Sequence, residues 1–204
     1  MAGTHKNAYQ IFKIGHSTRS LKGFFAFLKE YDITYLVDVR TIPRSRHNPQ
    51  FNKETLPAEL ALNNVHYRHL SGLGGLWKTR LDSINTNWRN ASFRGFAGLY
   101  ADLPIQGGVK ETLIFGQDAA VAITCAEAVR WRCHRSLIAD ALTVRGWEVR
   151  HIMSLKNAHL HKLTPWLTTK GKRIWYPPDN TDDSQKSKQR ARAKKITGKL
   201  LPKS

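Results

Sequence analysis

The sequence predicts an α/β fold: a single domain with a mainly parallel sheet flanked by helices, plus a basic C-terminal tail. Short apolar segments typical of buried strands alternate with segments in which apolar residues recur at helical spacing. Such alternation favours a parallel sheet covered by helices. The chain has 204 residues, of which 41% are hydrophobic, and can therefore bury one core. We place the domain at residues 8–175 and the tail at 176–204.

The first 52 residues predict two strands, a helix and a loop. Residues 11–15 form an apolar segment that ends in glycine, which indicates a strand. Ser20 is a suitable N-cap for a helix that buries Phe24. Residues 35–40 are apolar at their centre and predict a strand buried on both faces. Residues 41–52 contain two prolines, two asparagines and two arginines, which favours an irregular basic loop.

The remainder of the domain is predicted from shorter signals. The patterns indicate a helix at 56–62, a strand at 65–70, a glycine-rich turn at 72–75, an extended loop with some helix at 76–95, and helices at 96–103 and 109–117. The apolar run 121–124 predicts a buried strand. The next helix is expected to start near Arg132 or Cys133 and to end at Gly146. Residues 147–152 predict a further strand.

The charge of the chain indicates its partners. The formal net charge is +18, from 33 Lys and Arg against 15 Asp and Glu. Eight of these basic residues follow Gln185, where the chain has no acidic residue. Such a surface attracts polyanions, so we expect a nucleic-acid partner, with DNA favoured over RNA, and a tail that is disordered in the free protein. A merely solvated basic surface is the alternative.

Other features restrict the compartment and the class. The sequence has no run of about 18 apolar residues, so we expect no membrane span. The N-terminus lacks the apolar segment of a secretion signal, and two cysteines do not make a disulfide framework. We therefore expect a cytoplasmic protein without a cofactor. The sequence carries no indication of the oligomeric state.

Three predicted strands end in polar side chains. These residues are His16 and Ser17 after the first strand, Asp38 and Arg40 at the end of the second, and Cys125 and Glu127 at the end of the third. In open α/β sheets, ligands bind at the carboxyl ends of the strands. We expect these side chains to line one pocket, although each of them alone is more often a cap or a surface group.

Both cysteines of the chain lie in one strand-to-helix junction. Cys133 is expected in the first turn of the helix, where the helix dipole and His134 or Arg135 favour the thiolate. It is therefore a candidate nucleophile, or else a small core residue. We predict no metal, because Cys133 and His134 would point about 100° apart on a helix. We also expect no structural disulfide between Cys125 and Cys133.

The two carboxylates have competing interpretations. Glu127 is a candidate general base or electrostatic stabiliser, and its structural alternative is a salt bridge to Arg135 or Arg40. Asp38 is the rival for the acid–base role, and its alternative is a buried cap that accepts from backbone amides.

Basic and aromatic side chains flank this predicted site. The loop after the second strand carries Arg44, Ser45 and Arg46 at the same sheet edge. Aromatic residues near basic ones can stack on nucleobases, and the candidates are Trp77, Trp88, Phe93 and Trp131. A place in the core is the alternative for each.

Four motifs together resemble the family called domain of unknown function 488. They are IGHSTRS at 14–20, LVDVRTIPRSRHNPQFN at 36–52, LGG at 73–75 and CAE…CHRSLIA at 125–139. The resemblance covers about residues 10 to 155 and leaves the tail outside. It implies an α/β cytoplasmic protein with a cysteine pair in a C-x-E…C-H-R signature, and it implies no reaction. The positions that match the family's motifs are Gly15, His16, Ser17, Asp38, Arg40, Pro43, Ser45, Cys125, Glu127, Cys133, His134 and Arg135.

From these observations we expect an enzyme that acts on nucleic acid. The favoured reaction is hydrolysis at a nucleobase, such as glycosylase-like cleavage of the N-glycosidic bond of a modified base, which needs a carboxylate and donors for the departing base. The base would have to leave the stack. The candidate catalytic residues are Glu127, Asp38, His16 and Cys133, and the candidate substrate-binding residues are Ser17, Arg40, Arg44, Ser45, Arg46, Cys125, His134 and Arg135.

Two alternatives remain open at this point. The first is a rhodanese-like sulfur transferase or thiol-dependent hydrolase that uses Cys133 or Cys125; the segment LVDVR resembles rhodanese-like domains, although their cysteine-centred anion loop is not obvious in this sequence. The second is a non-catalytic nucleic-acid-binding module. Replacing Glu127 by Gln separates an enzyme, which would lose turnover and keep binding, from a binder.

Overall fold

Six strands form the central sheet of the computed structural model, which describes residues 10–98, 103–127 and 133–178. The strands are β1 (Gln10–Gly15), β2 (Tyr35–Asp38), β3 (His66–His69), β4 (Val121–Cys125), β5 (Glu148–Ser154) and β6 (Asn157–Leu160). Their order in the sheet is β3-β2-β4-β1-β5-β6, in which the first five are parallel and β6 runs antiparallel to β5. The predicted mainly parallel sheet is confirmed.

Helices cover both faces of this sheet. They are α1 (Leu21–Glu30), α2 (Leu56–Leu62), α3 (Ala91–Gly98), α4 (Leu103–Asp118) and α5 (Arg135–Val144), with short 3-10 helices at Pro49–Phe51 and Ser71–Leu73. A separate hairpin consists of β7 (Thr168–Lys170) and β8 (Arg173–Trp175). The predicted α/β class is therefore confirmed.

Alternate residues of the strands supply two cores, one on each face. Phe12 of β1 packs in the core that contains Phe24 of α1 and Leu60 of α2. Ile11 belongs to the opposite core, with Leu137 of α5 and residues of α3 and α4. A parallel strand buried on both faces needs such a continuous apolar run, which is why the pattern predicted it.

The helix ends follow ordinary capping chemistry. The side chain of Ser20 accepts a hydrogen bond from the Gly23 amide at 3.1 Å, which confirms the predicted N-cap of α1. The Asn90 side chain accepts from the amides of Ser92 and Phe93 and begins α3. Gly146 follows α5 with φ of 89°, a left-handed conformation that glycine adopts without strain.

Several predicted boundaries are wrong. The helix predicted at 96–103 begins earlier, at Ala91, because Asn90 caps it, and residues 99–102 lie outside the described part of the chain. The helix predicted at 109–117 spans Leu103–Asp118. Strands β6, β7 and β8 were not predicted, because their three or four residues each are too few to show a pattern. The predicted tail, from residue 179 onward, also lies outside the described residues. None of the described helices is long and apolar enough to cross a bilayer.

Candidate functional site

The carboxyl ends of β1, β4 and β2 lie side by side. Their pairing continues past the strands: the amide of His16 donates to the Cys125 carbonyl at 3.0 Å, and the amide of Val39 donates to the Thr124 carbonyl at 3.0 Å. The Ser17 amide donates to the Ala126 carbonyl, with Ser17 in the left-handed region at φ of 49°. The three strand ends predicted to meet are thus at one edge of the sheet.

Asp38 and Arg40 form a buried ion pair at this edge. Their side chains are 0% and 8% exposed, and Arg40 Nη2 lies 2.6 Å from Asp38 Oδ2. Arg40 Nε also donates to both carboxylate oxygens, and the Arg40 amide donates to Oδ1 at 3.0 Å. The hydroxyl of Tyr67 on β3 donates to Oδ2 at 2.8 Å. These hydrogen bonds use both oxygens of the carboxylate. Asp38 therefore positions the side chains of Arg40 and Tyr67.

Tyr67 remains protonated in this environment. Burial and the neighbouring Asp38 carboxylate raise the pKa of Tyr67 well above its usual range. The hydroxyl therefore acts as a hydrogen-bond donor at all ordinary pH values.

His16 is held between the ion pair and an aromatic ring. Its ring stacks on Phe51, with centroids 4.3 Å apart. Burial, together with the nearby Arg40 guanidinium, lowers the pKa of His16 to about 4, so the imidazole is neutral at neutral pH. Because the guanidinium only donates, His16 Nε2 accepts from Arg40 at 3.2 Å, and Nδ1 donates to the Ser17 carbonyl at 2.9 Å.

The two thiols meet in front of β4. Cys125 Sγ and Cys133 Sγ lie 3.0 Å apart, and both residues are free cysteines with 4% and 3% exposure. Arg135 Nε donates to Cys133 Sγ at 3.1 Å, and the Glu127 amide lies 3.3 Å from Cys125 Sγ. The Arg135 side chain is buried and also donates to the carbonyls of Ile14 and Glu127. This guanidinium thus joins β1, the loop after β4 and the sulfur of Cys133.

The environment makes the two sulfurs chemically different. Burial alone would raise the pKa of Cys133, but the hydrogen bond from Cys125, the Arg135 guanidinium and His134 together hold it well below its ordinary value. Burial and the bond to Cys133 raise the pKa of Cys125 well above its ordinary value. The arrangement therefore favours the thiolate at Cys133, with the Cys125 thiol as its hydrogen-bond donor.

The start of α5 differs from the prediction. The helix begins at Arg135 and not near Arg132 or Cys133, so Cys133 lies ahead of its first turn. The Cys133 carbonyl accepts from both the amide and the hydroxyl of Ser136, which closes a tight turn before the helix. The sulfur is consequently activated by Arg135 and Cys125 rather than by a position within the helix.

His134 closes the site next to the thiolate. Its Nε2 donates to the Val39 carbonyl at 3.2 Å, and its Nδ1 lies 3.9 Å from Cys133 Sγ. A Cβ atom at Gly75 would lie 2.6 Å from Nδ1 of His134, so the glycine-rich turn leaves the space that this ring occupies.

The remaining predicted residues lie at the rim. Glu127 is half-buried, and Arg44 and Arg46 are exposed on the loop after β2. Ser45 shapes this loop, because its amide donates to the Asn52 side chain and its hydroxyl accepts from the Asn48 amide. In the described part of the chain, no hydrogen bond joins Arg44 or Arg46 to the buried cluster.

The aromatic candidates for stacking are distributed differently. Phe93 is a core residue, and Trp77 and Trp88 pack partly buried against the same core. Trp131 lies outside the described residues. In the described segments, no group of three or more His, Cys, Asp or Glu side chains is arranged to hold a metal ion.

Sequence reasoning missed Lys13, which is buried within β1. Burial and the Arg135 charge lower the pKa of Lys13 to about 7, and its Nζ has no hydrogen-bond partner among the described residues. Both thiols and Asp140 are close enough to act on this amine electrostatically. A lone charged residue inside an apolar strand is the signal that could have revealed it.

The comparison with family models supplies one match. The model described as Domain of unknown function DUF488 matches residues 20–142, which is more than half of the chain. The chain belongs to the DUF488 family. Among curated proteins, and among solved structures, no match was found.

The DUF488 match divides the residues of the site. Asp38, Arg40, both cysteines and Arg135 lie within it, whereas His16 precedes it. The residues from β5 onward also fall outside the matched range, although β5 pairs with β1 in the same sheet. Membership of the DUF488 family explains the motifs found in the sequence, but it does not identify a reaction.

Proposed function

We propose that the chain is an enzyme that acts on nucleic acid through a reactive thiolate at Cys133. The observation that carries this proposal is the contact of Cys133 Sγ with Arg135 Nε at 3.1 Å and with Cys125 Sγ at 3.0 Å. A buried guanidinium favours the charged form of the sulfur, and the thiolate is the nucleophilic form of cysteine. Among the reactions predicted from the sequence, thiol chemistry has the better geometric support.

Sulfur transfer is the reaction that fits this pair of thiols. The Cys133 thiolate would attack the outer sulfur of a persulfide or thiosulfonate donor, forming a Cys133 persulfide and releasing the donor's thiolate or sulfinate. An acceptor nucleophile would then attack the outer sulfur, and Cys133 would leave as the thiolate. Arg135 and the Cys125 thiol would stabilise the negative charge on Cys133 before the first step and after the second.

The charge of the chain favours nucleic acid as the acceptor. The formal net charge is +18, and the exposed Arg44 and Arg46 lie on the loop that follows β2 at the same sheet edge as the thiols. Exposed guanidinium groups at that edge can bind phosphates. The half-buried Glu127 and His134 lie next to the sulfurs of Cys125 and Cys133, respectively. DNA remains favoured over RNA in this proposal, and the cytoplasm remains the proposed compartment.

Mass spectrometry of the full chain after incubation with thiosulfate tests the thiol reaction. We expect the mass of one sulfur atom to be added to Cys133 in the wild-type protein and in Cys125→Ser, and to be absent in Cys133→Ser. The Cys125→Ser variant is the matched control because it removes one buried thiol of the same pair. Equal loading of Cys133→Ser would contradict the proposal.

Hydrolysis at a modified nucleobase is the second candidate. It is favoured by Glu127, a carboxylate at the half-exposed rim whose backbone carbonyl accepts from Arg135 and whose amide contacts Cys125 Sγ. These bonds hold the backbone of Glu127 at the site, where its carboxylate could activate water or stabilise a cationic sugar. Asp38 is the weaker candidate for this role, because its oxygens already accept from Arg40 and Tyr67.

Labelled DNA and RNA oligonucleotides that carry varied modified bases separate the candidates. Base release that is lost in Glu127→Gln and retained in Cys133→Ser would support the hydrolase. Loss of base release in Cys133→Ser alone would support a thiol-dependent hydrolase. Binding without turnover in the wild-type protein, unchanged in both variants, would indicate the non-catalytic binding module.

A further inference from the structure

A second buried polar network connects α5, β5 and the chain after β6. Asp140 on α5 is fully buried, and its carboxylate accepts from the amide and hydroxyl of Thr164 at 3.0 and 2.7 Å. The Tyr176 hydroxyl donates to the same carboxylate at 2.9 Å. Asp140 Oδ1 also lies 2.8 Å from His161 Nε2, and His161 Nδ1 lies 2.9 Å from His151 Nε2. Sequence analysis singled out none of these residues.

The carboxylate fixes which nitrogen of His161 donates to it. Asp140 can only accept, so His161 Nε2 carries a proton and donates to it. His161 Nδ1 and His151 Nε2 share one proton in their hydrogen bond, so one of these nitrogens donates to the other. The two imidazoles are therefore held in one orientation by a chain that starts at a buried carboxylate and ends at His151.

This histidine pair lines a cavity of about 470 Å³. A cavity of that size, within the roughly 300–1,000 Å³ typical of ligand sites, accommodates a small molecule. Trp88, Trp166, His159 and Lys162 also line it. The described residues that line the cavity include three histidines and a lysine but no Asp or Glu, which favours an anionic ligand.

The two tryptophans point to a ligand with a planar ring. Their ring centroids lie 5.5 Å apart at an angle of 66°, so the indoles form a corner against which a planar ring can pack. Each indole also has a buried N–H with no hydrogen-bond partner among the described residues. Both N–H groups are covered by the protein, so a ligand in the cavity contacts the faces and edges of the indole rings and not these donors.

We propose that this cavity binds a nucleotide, that is, a planar heterocycle that carries a phosphate group. The indoles of Trp88 and Trp166 pack against the heterocycle, and Lys162 and His159 pair with the phosphate. The proposal is independent of the thiol reaction, since it uses none of the residues assigned to that reaction. The nucleotide can be a free mononucleotide or one unit of a nucleic-acid strand, and the experiment separates these sources.

The test is calorimetric titration of the full chain with the four ribonucleoside monophosphates and, separately, with a single-stranded oligonucleotide. Trp166→Ala should weaken binding roughly five- to a hundredfold, the range expected when one aromatic side chain that stacks on a base is removed. Its matched control is Trp175→Ala, because Trp175 is also half-buried but lies on β8 and does not line this cavity. The control should bind as the wild-type protein does.

Two surface lysine variants test the site independently of any folding defect in Trp166→Ala. Lys162→Gln should weaken nucleotide binding about two- to fivefold, as expected for an exposed ion pair. Lys156→Gln removes the same charge from the turn between β5 and β6, outside the cavity, and should have no effect. Both lysines are exposed, so neither change should disturb folding.

Loss of mononucleotide binding in Trp166→Ala and Lys162→Gln would support a site for free nucleotides. Loss of oligonucleotide binding alone, in the same two variants, would support a site for one nucleotide of a strand. If both variants bind mononucleotides and oligonucleotide as their controls do, or if the wild-type chain binds inorganic phosphate as tightly as any nucleotide, the proposal is overturned. Persulfide loading at Cys133 should be unchanged in all four variants, so failure of one proposal leaves the other intact.

Discussion

The Arg135 side chain connects three parts of the site. Its buried guanidinium donates to Cys133 Sγ and to the carbonyls of Ile14 and Glu127. A charge buried so completely is stable only with partners, and the Cys133 thiolate is the anion within hydrogen-bond distance. The thiolate and the guanidinium therefore stabilise each other, and removal of either leaves the other charge buried and unpaired.

The buried amine of Lys13 allows a test of how one charge at the site affects the stability of the protein. The pKa of Lys13 is lowered from 10.5 to about 7 by burial and by Arg135. The unfolded chain therefore binds more protons than the folded chain between pH 7 and pH 10.5. The free energy of unfolding consequently falls as the pH falls from about 10.5 to about 7, because the buried amine becomes harder to keep uncharged. We predict that Lys13→Met raises the free energy of unfolding at pH 7 by roughly 2–4 kcal/mol and removes this pH dependence.

Urea denaturation of both proteins between pH 7 and 10 measures this effect. Lys29→Met is the control, since Lys29 is exposed on α1 and should change stability little. A Lys13→Met protein that is less stable than the wild type at pH 7 would show that the charged amine is needed in the fold.

At the scale of elements, the site depends on how the glycine-rich turn approaches α5. A Cβ at position 75 would lie 2.6 Å from His134 Nδ1 and 2.7 Å from its Cγ, and His134 is held by its bond to the Val39 carbonyl. We predict that Gly75→Ala destabilises the protein by roughly 1–3 kcal/mol, the cost of overpacking, and moves His134 away from Cys133. Thermal unfolding and the rate of Cys133 alkylation measure the two effects.

Gly107→Ala on α4 is the control for that variant. A Cβ at Gly107 meets no atom within 4 Å, and alanine is the better helix former, so this change should stabilise by about 0.5–1 kcal/mol. Equal stability of the two alanine variants would mean that the turn can move away from His134 without cost.

The elements of the sheet were predictable because each leaves a local pattern. Apolar runs located β1, β2 and β4, and the rule that parallel strand ends share one edge brought His16, Asp38 and Cys125 together. The contact of Cys125 with Cys133 was not predictable, because it depends on a turn closed by Ser136 ahead of α5.

Contacts between distant elements left no signal in the sequence. Tyr67 on β3 reaches Asp38 on β2 only because the two strands are neighbours in register. Similarly, Asp140, His161 and His151 come from a helix, a loop and a strand, and their spacing along the chain follows no periodic pattern. Only the three-dimensional packing brings such residues together.

For the molecule as a whole, the high positive net charge is the property from which we predict binding to nucleic acid. Eight of the 33 basic residues follow Gln185 without an acidic residue among them. We predict that deletion of residues 185–204 weakens binding to nucleic acid and reduces the slope of log affinity against log salt by roughly 0.7–0.9 for each phosphate that the tail neutralises. A salt titration of both proteins on one labelled oligonucleotide measures the change.

The catalytic step should survive this deletion, because every residue of the proposed sites precedes the tail. Identical affinity and slope in the two proteins would mean that the tail is a solvated appendage. An equal loss of single-turnover rate at saturating protein would place the tail in the reaction instead.

The most direct test of a reactive thiolate at Cys133 is the pH dependence of its alkylation by iodoacetamide in the full-length folded protein, followed by peptide mass spectrometry. The thiolate is the reactive form, and the pKa of Cys133 is held well below its ordinary value by Cys125, Arg135 and His134 against the opposing effect of burial. We expect the rate at Cys133 to stay nearly constant between pH 7 and 9, and Cys125 to react more slowly throughout. A rate at Cys133 that rises roughly 25-fold over this range, as for an ordinary thiol with a pKa of about 8.5, would contradict this expectation.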